Sequence, residues 1–239
     1  MLKLFFCLSF LIGILFFNFN VFAEIKSSQQ LNLEKYFSNN EIEYKKLPKS
    51  IKKFFAKNLF LPLNEYEISK ENTFNRWSNH IYEMSISASL NKVWKEYSET
   101  NAEDLWKKKH SNLIILVRDN TIYQKNVIPQ IGDLVILELK VIKSIKKLPV
   151  AFFITKMNAP KDGRAEICFN YSKQNVSQGE QCLSFTERIE GDQTYTKIKH
   201  DSKFGSESRF RDQFLYPYFH EAIIKEFHQV LKHNLENPD

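Results

Sequence analysis

The sequence predicts an α+β protein: an antiparallel sheet of about seven strands, a long C-terminal helix and an N-terminal helical arm. Strand-like runs follow one another between residues 80 and 202, joined by turn signals too short for parallel crossovers. Apolar residues then recur at helical spacing from residue 208 to residue 234. With 43% hydrophobic and 26% charged residues, the 239-residue chain has a globular composition, neither disordered nor collagen-like. Only 6 Gly argue against a glycine-rich phosphate loop.

Residues 1–23 read as a secretory signal peptide. Lys3 supplies the positive start, and Leu4 to Phe17 form an apolar run broken only by Ser9 and Gly13. Val21-Phe22-Ala23 then offers small residues for cleavage ahead of polar Glu24. The apolar core is short for a membrane span of ~20 residues, which favours a cleaved signal over a retained anchor. The expectation is an exported protein, periplasmic or secreted. Cleavage would remove one lysine and no acid, leaving 33 Lys+Arg against 28 Asp+Glu. That mild excess suits anionic surfaces such as lipid head groups without indicating nucleic acid. The basic segments Lys107-Lys108-Lys109 and Lys143–Lys147 are scattered, and export argues further against a nucleic-acid partner.

Residues 24–72 read as the helical arm. Leu31 to Phe37 suits a short helix, and Pro48 opens a better one, since proline fits the first helical turn. Ile51, Phe54, Phe55 and Leu59 share one side, with Lys49, Lys52, Lys53 and Lys57 opposite. Such a helix can lie on an anionic membrane or pack on its own domain. Leu61-Pro62-Leu63-Asn64 ends it.

Residues 73–239 form the main domain. Residues His80–Ser87 alternate as a strand, and a helix follows with Leu90, Val93, Trp94 and Tyr97 on one stripe. A short helix over Ala102–Lys109 precedes the runs Leu113–Val117, Thr121–Val127, Leu134–Ile142, Val150–Met157, Arg164–Tyr171, Gln181–Ile189 and Thr194–Ser202. Turn signals separate the later runs: Asn158–Gly163, Ser172–Gly179 and Glu190–Asp192. In the closing helix, Phe210, Phe214, Phe219, Ile223, Phe227 and Leu231 lie near one face, and Pro217 kinks or divides it.

Ile81–Ser87, Leu90–Tyr97, the paired runs from Leu134 to Ser202 and Phe210–Leu235 together resemble the START-like superfamily. These are helix-grip proteins related to steroidogenic lipid-transfer domains, plant pathogenesis-related proteins and polyketide cyclases. The resemblance covers about two thirds of the chain and is one of element order, because the superfamily has no invariant catalytic motif. It implies a curved sheet gripping the last helix, with an apolar cavity between them. Leu137, Leu139, Ile167, Phe169, Phe185, Ile198, His200, Phe219, Ile223 and Phe227 would line that cavity. The expected partner is an apolar small molecule or lipid, with no cofactor.

Cys168 and Cys182 flank one hairpin. If they face each other, the register pairs Ile167 with Leu183 and Ala165 with Phe185, which gathers apolar residues on the other face. An oxidising compartment permits a disulfide there. Two reduced thiols in a register shifted by two residues is the other reading. The cysteines lack metal-site spacing and no histidine cluster accompanies them in sequence, so no metal is expected.

Six histidines remain to be placed. His228 and His233 read as solvated. His220 and His228 stand eight residues apart on the last helix, too far for an i, i+4 chelate. On the strand Thr194–Ser202, Ile198 and His200 point opposite to Lys197 and Lys199, so His200 faces the cavity or its rim. Asp201, Arg209, Arg211 and Asp212 follow close by. A His200 pair with Asp212 or Asp201 would suit general-base chemistry of the cyclase or dehydratase kind. A lone histidine without nucleophile or metal is more simply a hydrogen-bonded core residue. The expectation is therefore a ligand-binding protein rather than an enzyme. An enzyme using His200 and a protein-interaction module with a filled core are the alternatives.

Overall fold

The computed structural model describes residues 44–58, 77–119, 121–141 and 146–237. The expected signal at 1–23, the short helix at 31–37 and the helix end at 61–64 lie outside them. The chain divides into two compact units, Met1–Leu47 and Pro48–Asp239. The described part of the first is a 3-10 turn, Tyr44–Lys46. All other described elements belong to the second.

That unit runs α1 (Lys49–Asn58), β1 (Ser78–Ile86), α2 (Leu90–Ser98), α3 (Ala102–Trp106), β2 (Ser111–Arg118) and β3 (Thr121–Tyr123). It continues with β4 (Leu134–Val141), β5 (Lys146–Lys161), β6 (Arg164–Tyr171), β7 (Ser177–Glu190) and β8 (Gln193–Ser206). A π-helical turn (Arg211–Leu215) then leads into α4 (Tyr216–Glu236). The strands make one open sheet in the order β1-β8-β7-β6-β5-β4-β2-β3, with every neighbouring pair antiparallel. Eight strands are present where about seven were expected; each of the eight strand-like runs forms one, with Thr121–Val127 shortened to the edge strand Thr121–Tyr123.

Local chemistry explains most boundaries. Asn101 caps α3 by accepting from the Asp104 N–H at 3.0 Å. Leu90 N–H, at the start of α2, donates to the Glu187 carboxylate at 2.9 Å, where negative charge suits a helix N-terminus. β5 continues through Asn158-Ala159-Pro160, which the sequence reading assigned to a turn. Pro160 is tolerated because it falls where the register shifts between Asn158 and Lys161. The turn itself is the pair Asp162 (φ 50°) and Gly163 (φ 70°), the two-residue left-handed geometry that Asp-Gly favours in hairpins.

Cys168 and Cys182 are paired across β6 and β7, with Ile167 opposite Leu183 and Ala165 opposite Phe185. They form a disulfide, at a Cα–Cα separation of 4.2 Å. This is the register expected from the cysteine placement. Closing a loop of 14 residues stabilises by ~3 kcal/mol in the chain-entropy picture. The Cys168→Ser, Cys182→Ser double variant is therefore expected to lose about that much in urea unfolding, with its native circular dichroism unchanged. A loss below about 1 kcal/mol would contradict the loop-entropy account.

The inner face of the sheet carries the main core. Val135, Leu137, Phe152, Ile154, Ile167, Leu183, Phe185, Ile198 and Phe204 are buried there. Leu90, Val93 and Tyr97 from α2, Trp106 from α3 and Leu231 from α4 belong to the same cluster. The outer face of the middle strands is covered too. Ile115, Val117, Leu134, Ile136 and Ala151 are buried outside that cluster. α1 packs against β5, with Ile51 and Phe55 fully buried. The Ser50 hydroxyl donates to the carboxylate of Glu138 on β4, which Lys147 also pairs at 3.1 Å. Burial on both faces is why Leu134-Val135-Ile136-Leu137 reads as a continuous apolar run instead of an alternating one. The helix assigned to the arm thus lies within the same compact unit as the sheet.

The last helix differs from its sequence reading in phase. Its buried residues are His220, Ile224, His228 and Leu231, while Phe210 and Phe214 are 56% and 62% exposed. Pro217 lacks an N–H and crowds the carbonyl four residues back. The chain opens into a π turn ahead of it, with Tyr216 N–H bonding to the Arg211 carbonyl. The extra residue in that turn rotates the preceding aromatics off the buried stripe.

Candidate functional site: a histidine and tyrosine chain under the C-terminal helix

β8 alternates strictly, and Ile198, His200, Ser202 and Phe204 all point inward and are buried. Its neighbours bring Tyr82 opposite His200, and His80 opposite Ser202, from β1. From β7, Gln181 lies opposite Ser202. α4 lays Tyr216, His220 and His228 over this strip at four- and eight-residue intervals, one face of a helix.

A continuous chain of hydrogen bonds crosses the interior. The Tyr97 hydroxyl lies 2.7 Å from His228 Nδ1, and His228 Nε2 lies 3.0 Å from His200 Nδ1. His200 Nε2 is 2.9 Å from Gln181 Oε1. The Gln181 amide nitrogen donates to the Tyr171 hydroxyl, which meets the Tyr216 hydroxyl. A second, shorter group sits beside it: Ser202 Oγ is 3.4 Å from His220 Nε2, and His220 Nδ1 is 3.3 Å from His80 Nδ1. Ring packing fixes the same side chains. Tyr82 stacks on His228 at 5.6 Å, and Tyr216 stacks on His220 at 4.8 Å and on Phe204 at 3.6 Å.

The amide sets the direction of the long chain. Because the Gln181 nitrogen faces Tyr171, its oxygen accepts from His200 Nε2–H. His200 Nδ1 must then accept from His228 Nε2–H, and His228 Nδ1 from the Tyr97 hydroxyl. Each imidazole accepts once and donates once, so both are neutral and satisfied. The electrostatics agree: burial, with His80 nearby, pushes His200 down to about 3, against a smaller opposing pull from Asp201. Burial and neighbouring imidazoles hold His220 and His228 well below the ordinary histidine value. Burial likewise raises Tyr97, Tyr171 and Tyr216.

The expected lining residues separate into two groups. Leu137, Ile167, Phe185 and Ile198 are core residues, whereas Leu139, Phe169 and Phe227 are only partly buried against that core. Phe219 and Ile223 are half-buried on α4, and Ile224 is the buried member of that turn. His200 faces inward as the alternation requires, but the expected His–Asp pair does not form. Both of its nitrogens are taken by His228 and Gln181. Asp201 binds Lys199 at 2.8 Å, and Asp212 accepts from the Ser206 N–H at 2.9 Å and from its hydroxyl. His228, expected in solvent, is fully buried, because the helix phase turns it onto β8. His233 is exposed. Gln181, Tyr97, Tyr171 and Tyr216 went unread as site residues. The available signals were the four- and eight-residue spacing of Tyr216, His220 and His228 and the alternation of Gln181 with Leu183 and Phe185.

Among the described residues, Glu166, Cys168 and Cys182 bring possible ligand atoms within 4.8 Å of one another. Their two sulfurs are joined in the disulfide and offer no thiolate to a metal.

No family model and no curated protein matches the chain. Among solved structures it is similar to norcoclaurine synthase from Thalictrum flavum in complex with dopamine and hydroxybenzaldehyde. That likeness has 10% identity and a TM-score of 0.46 over 73% of this chain and 98% of the other. Ara h 8.0201 gives 10% identity and 0.45 over 67% and 99%. Protein CV1439 from Chromobacterium violaceum gives 11% and 0.43 over 67% and 98%. These are helix-grip folds. On its own strand order and closing helix, the present chain is an α+β protein of helix-grip architecture.

Proposed function

We propose that this protein is an exported, non-enzymatic carrier holding an apolar ligand, a lipid or isoprenoid, on the inner face of its sheet beside α4. The supporting observation is a set of apolar side chains left half-exposed against an otherwise closed core. Leu113, Leu139, Val150, Met157 and Phe169 on the sheet, with Phe227 on α4, are packed on that core without being buried in it. Covering them with a ligand chain would contribute ~0.8 kcal/mol per methylene. Export is supported by the signal-like residues 1–23 and by a disulfide of the kind oxidising compartments keep. Any membrane contact through α1 would rest on exposed Lys49 and Lys53, since Ile51, Phe54 and Phe55 are buried.

The test is native mass spectrometry of protein purified from an export host, followed by lipid extraction. The expected spectrum shows a chain beginning at Glu24, two hydrogens lighter through the disulfide, with one apolar adduct. Leu139→Glu is expected to lose the adduct with native circular dichroism kept, because Leu139 is one of the lining residues only partly buried against the core. Ile224→Glu, at a position only 4% exposed, is expected to unfold the domain. A bare wild-type mass, or an adduct retained by Leu139→Glu, would overturn the carrier reading and favour an interaction module with a filled core.

A further inference from the structure

We propose that the first half of α4 is a proton-operated latch: two imidazole–imidazole bridges, His228 to His200 and His220 to His80, hold it on β8 and β1, and acid opens them. The latch stands whatever occupies the inner face.

Each bridge needs one bare nitrogen. The contact at 3.0 Å between His228 Nε2 and His200 Nδ1 and that at 3.3 Å between His220 Nδ1 and His80 Nδ1 are N–H···N bonds, with a donor on one side only. One added proton on His200 forces His228 into its other tautomer and turns the Tyr97 hydroxyl round. A second leaves two N–H groups and two positive charges facing each other, and the bridge is lost. The contact of His220 with His80, whose rings cross edge to face, likewise depends on one bare nitrogen.

Among the described residues, no carboxylate hydrogen-bonds these imidazoles. On β1 the strip faces Tyr82 and His80, on α2 Tyr97, on β7 Gln181, on β6 Tyr171, and on α4 Tyr216 and the imidazoles themselves. Asp201 acts on His200 only through space, from the side bonded to Lys199. Glu221, Glu96 and the buried Asp212 act through space on Tyr82, Tyr97 and Tyr216.

The second half of α4 is tied down differently. Glu226 accepts from the N–H groups of Lys109 and His110 and from the His110 ring. Lys232 donates to the Ser85 carbonyl, and Glu236 accepts from Ser87 N–H. None of these contacts requires a bare imidazole nitrogen. Acid therefore acts on the part of the helix ahead of Glu226, from Tyr216 to Lys225.

The sign follows from burial. In the closed state His200, His220 and His228 titrate below the ordinary value of 6.5. Once released, they take protons near it. Closure is then complete above that value and weakens as pH falls below it. Each released ring contributes up to about tenfold per pH unit, so three rings give about a thousandfold between about pH 7.5 and pH 5.5.

Hydrogen–deuterium exchange, corrected for the intrinsic rate at each pH, tests this on the full chain. Amide protection over residues 216–225 is expected to fall by up to about a thousandfold between those pH values, while β5 and β6 stay protected. His228→Gln keeps the wiring without a titratable proton: its oxygen accepts from Tyr97 and its nitrogen donates to His200. His200→Gln does the same between His228 and Gln181. Each is expected to close normally at the higher pH and to reduce the fall about tenfold. Protection independent of pH overturns the latch, as does parallel loss over β5 and β6, which signals whole-domain acid unfolding. An undiminished fall in either glutamine variant also overturns it. Should a variant not fold, the wild-type profile alone decides, and a slope below one proton rejects the latch.

Discussion

Gly179→Ala is expected to destabilise the protein by about 3–5 kcal/mol, combining backbone strain with a main-chain clash. Gly179 has φ 148°, and a Cβ there would stand 2.0 Å from the Lys203 carbonyl oxygen and 2.8 Å from Phe204 Cα. Both obstacles are backbone, so no side chain can swing aside. The residue sits in the β7–β8 ladder opposite Phe204, whose ring stacks on Tyr216 at the start of α4. Pushing the strands apart would therefore move the floor on which the helix rests. For a unit of this size the loss corresponds to a melting temperature lower by about 10 °C. A variant melting within a degree of wild type would show that the ladder is looser at Gly179 than the close approach implies.

Phe185→Ala is expected to cost about 3–5 kcal/mol, the range for emptying an aromatic site in a packed core. Phe185 is 1% exposed, with ring contacts to Trp94 at 6.1 Å and Tyr97 at 5.0 Å. Tyr97 is also the first donor of the histidine chain, so the cavity would loosen the anchor of His228 as well as the core. Phe169→Ala is the informative control. Phe169 is half-buried and packs on Phe152 at 5.3 Å, so its truncation should cost less than half as much. Equal losses in chemical denaturation would mean that both phenylalanines are core residues, leaving no distinct lining on the inner face.

The contrast between these phenylalanines marks how far the sequence could be read. Both were placed on the inward face by strand alternation, and both are there. Alternation has a period of two whatever the neighbouring strand does, so it also turned His200 inward correctly. The cysteine placement pointed to the β6–β7 register, because a one-residue slip moves every apolar side chain of the hairpin to the other face; a two-residue shift keeps the faces, and only the paired strands decide against it. Which inward residues end fully covered depends on what is laid over them. Phe185 lies under α2, whereas Phe169 remains partly open.

The sequence by itself determined the α+β order, the antiparallel hairpins and the inward direction of His200 and Phe185, and made Cys182 the expected partner of Cys168, because these depend on local periodicity and short connections. Only the tertiary structure decided the partners of His200. Gln181 is 19 residues away in sequence and His228 is 28, on two different elements. Their meeting depends on the phase of α4. The π turn ahead of Pro217 sets that phase, and one residue more or less would rotate the helix by about 100°. Read without that turn, Ile223 and an aromatic stripe face the sheet and His228 faces water. With it, Ile224, His220 and His228 face inward, where burial keeps the imidazoles neutral and lets them hydrogen-bond His80 and His200.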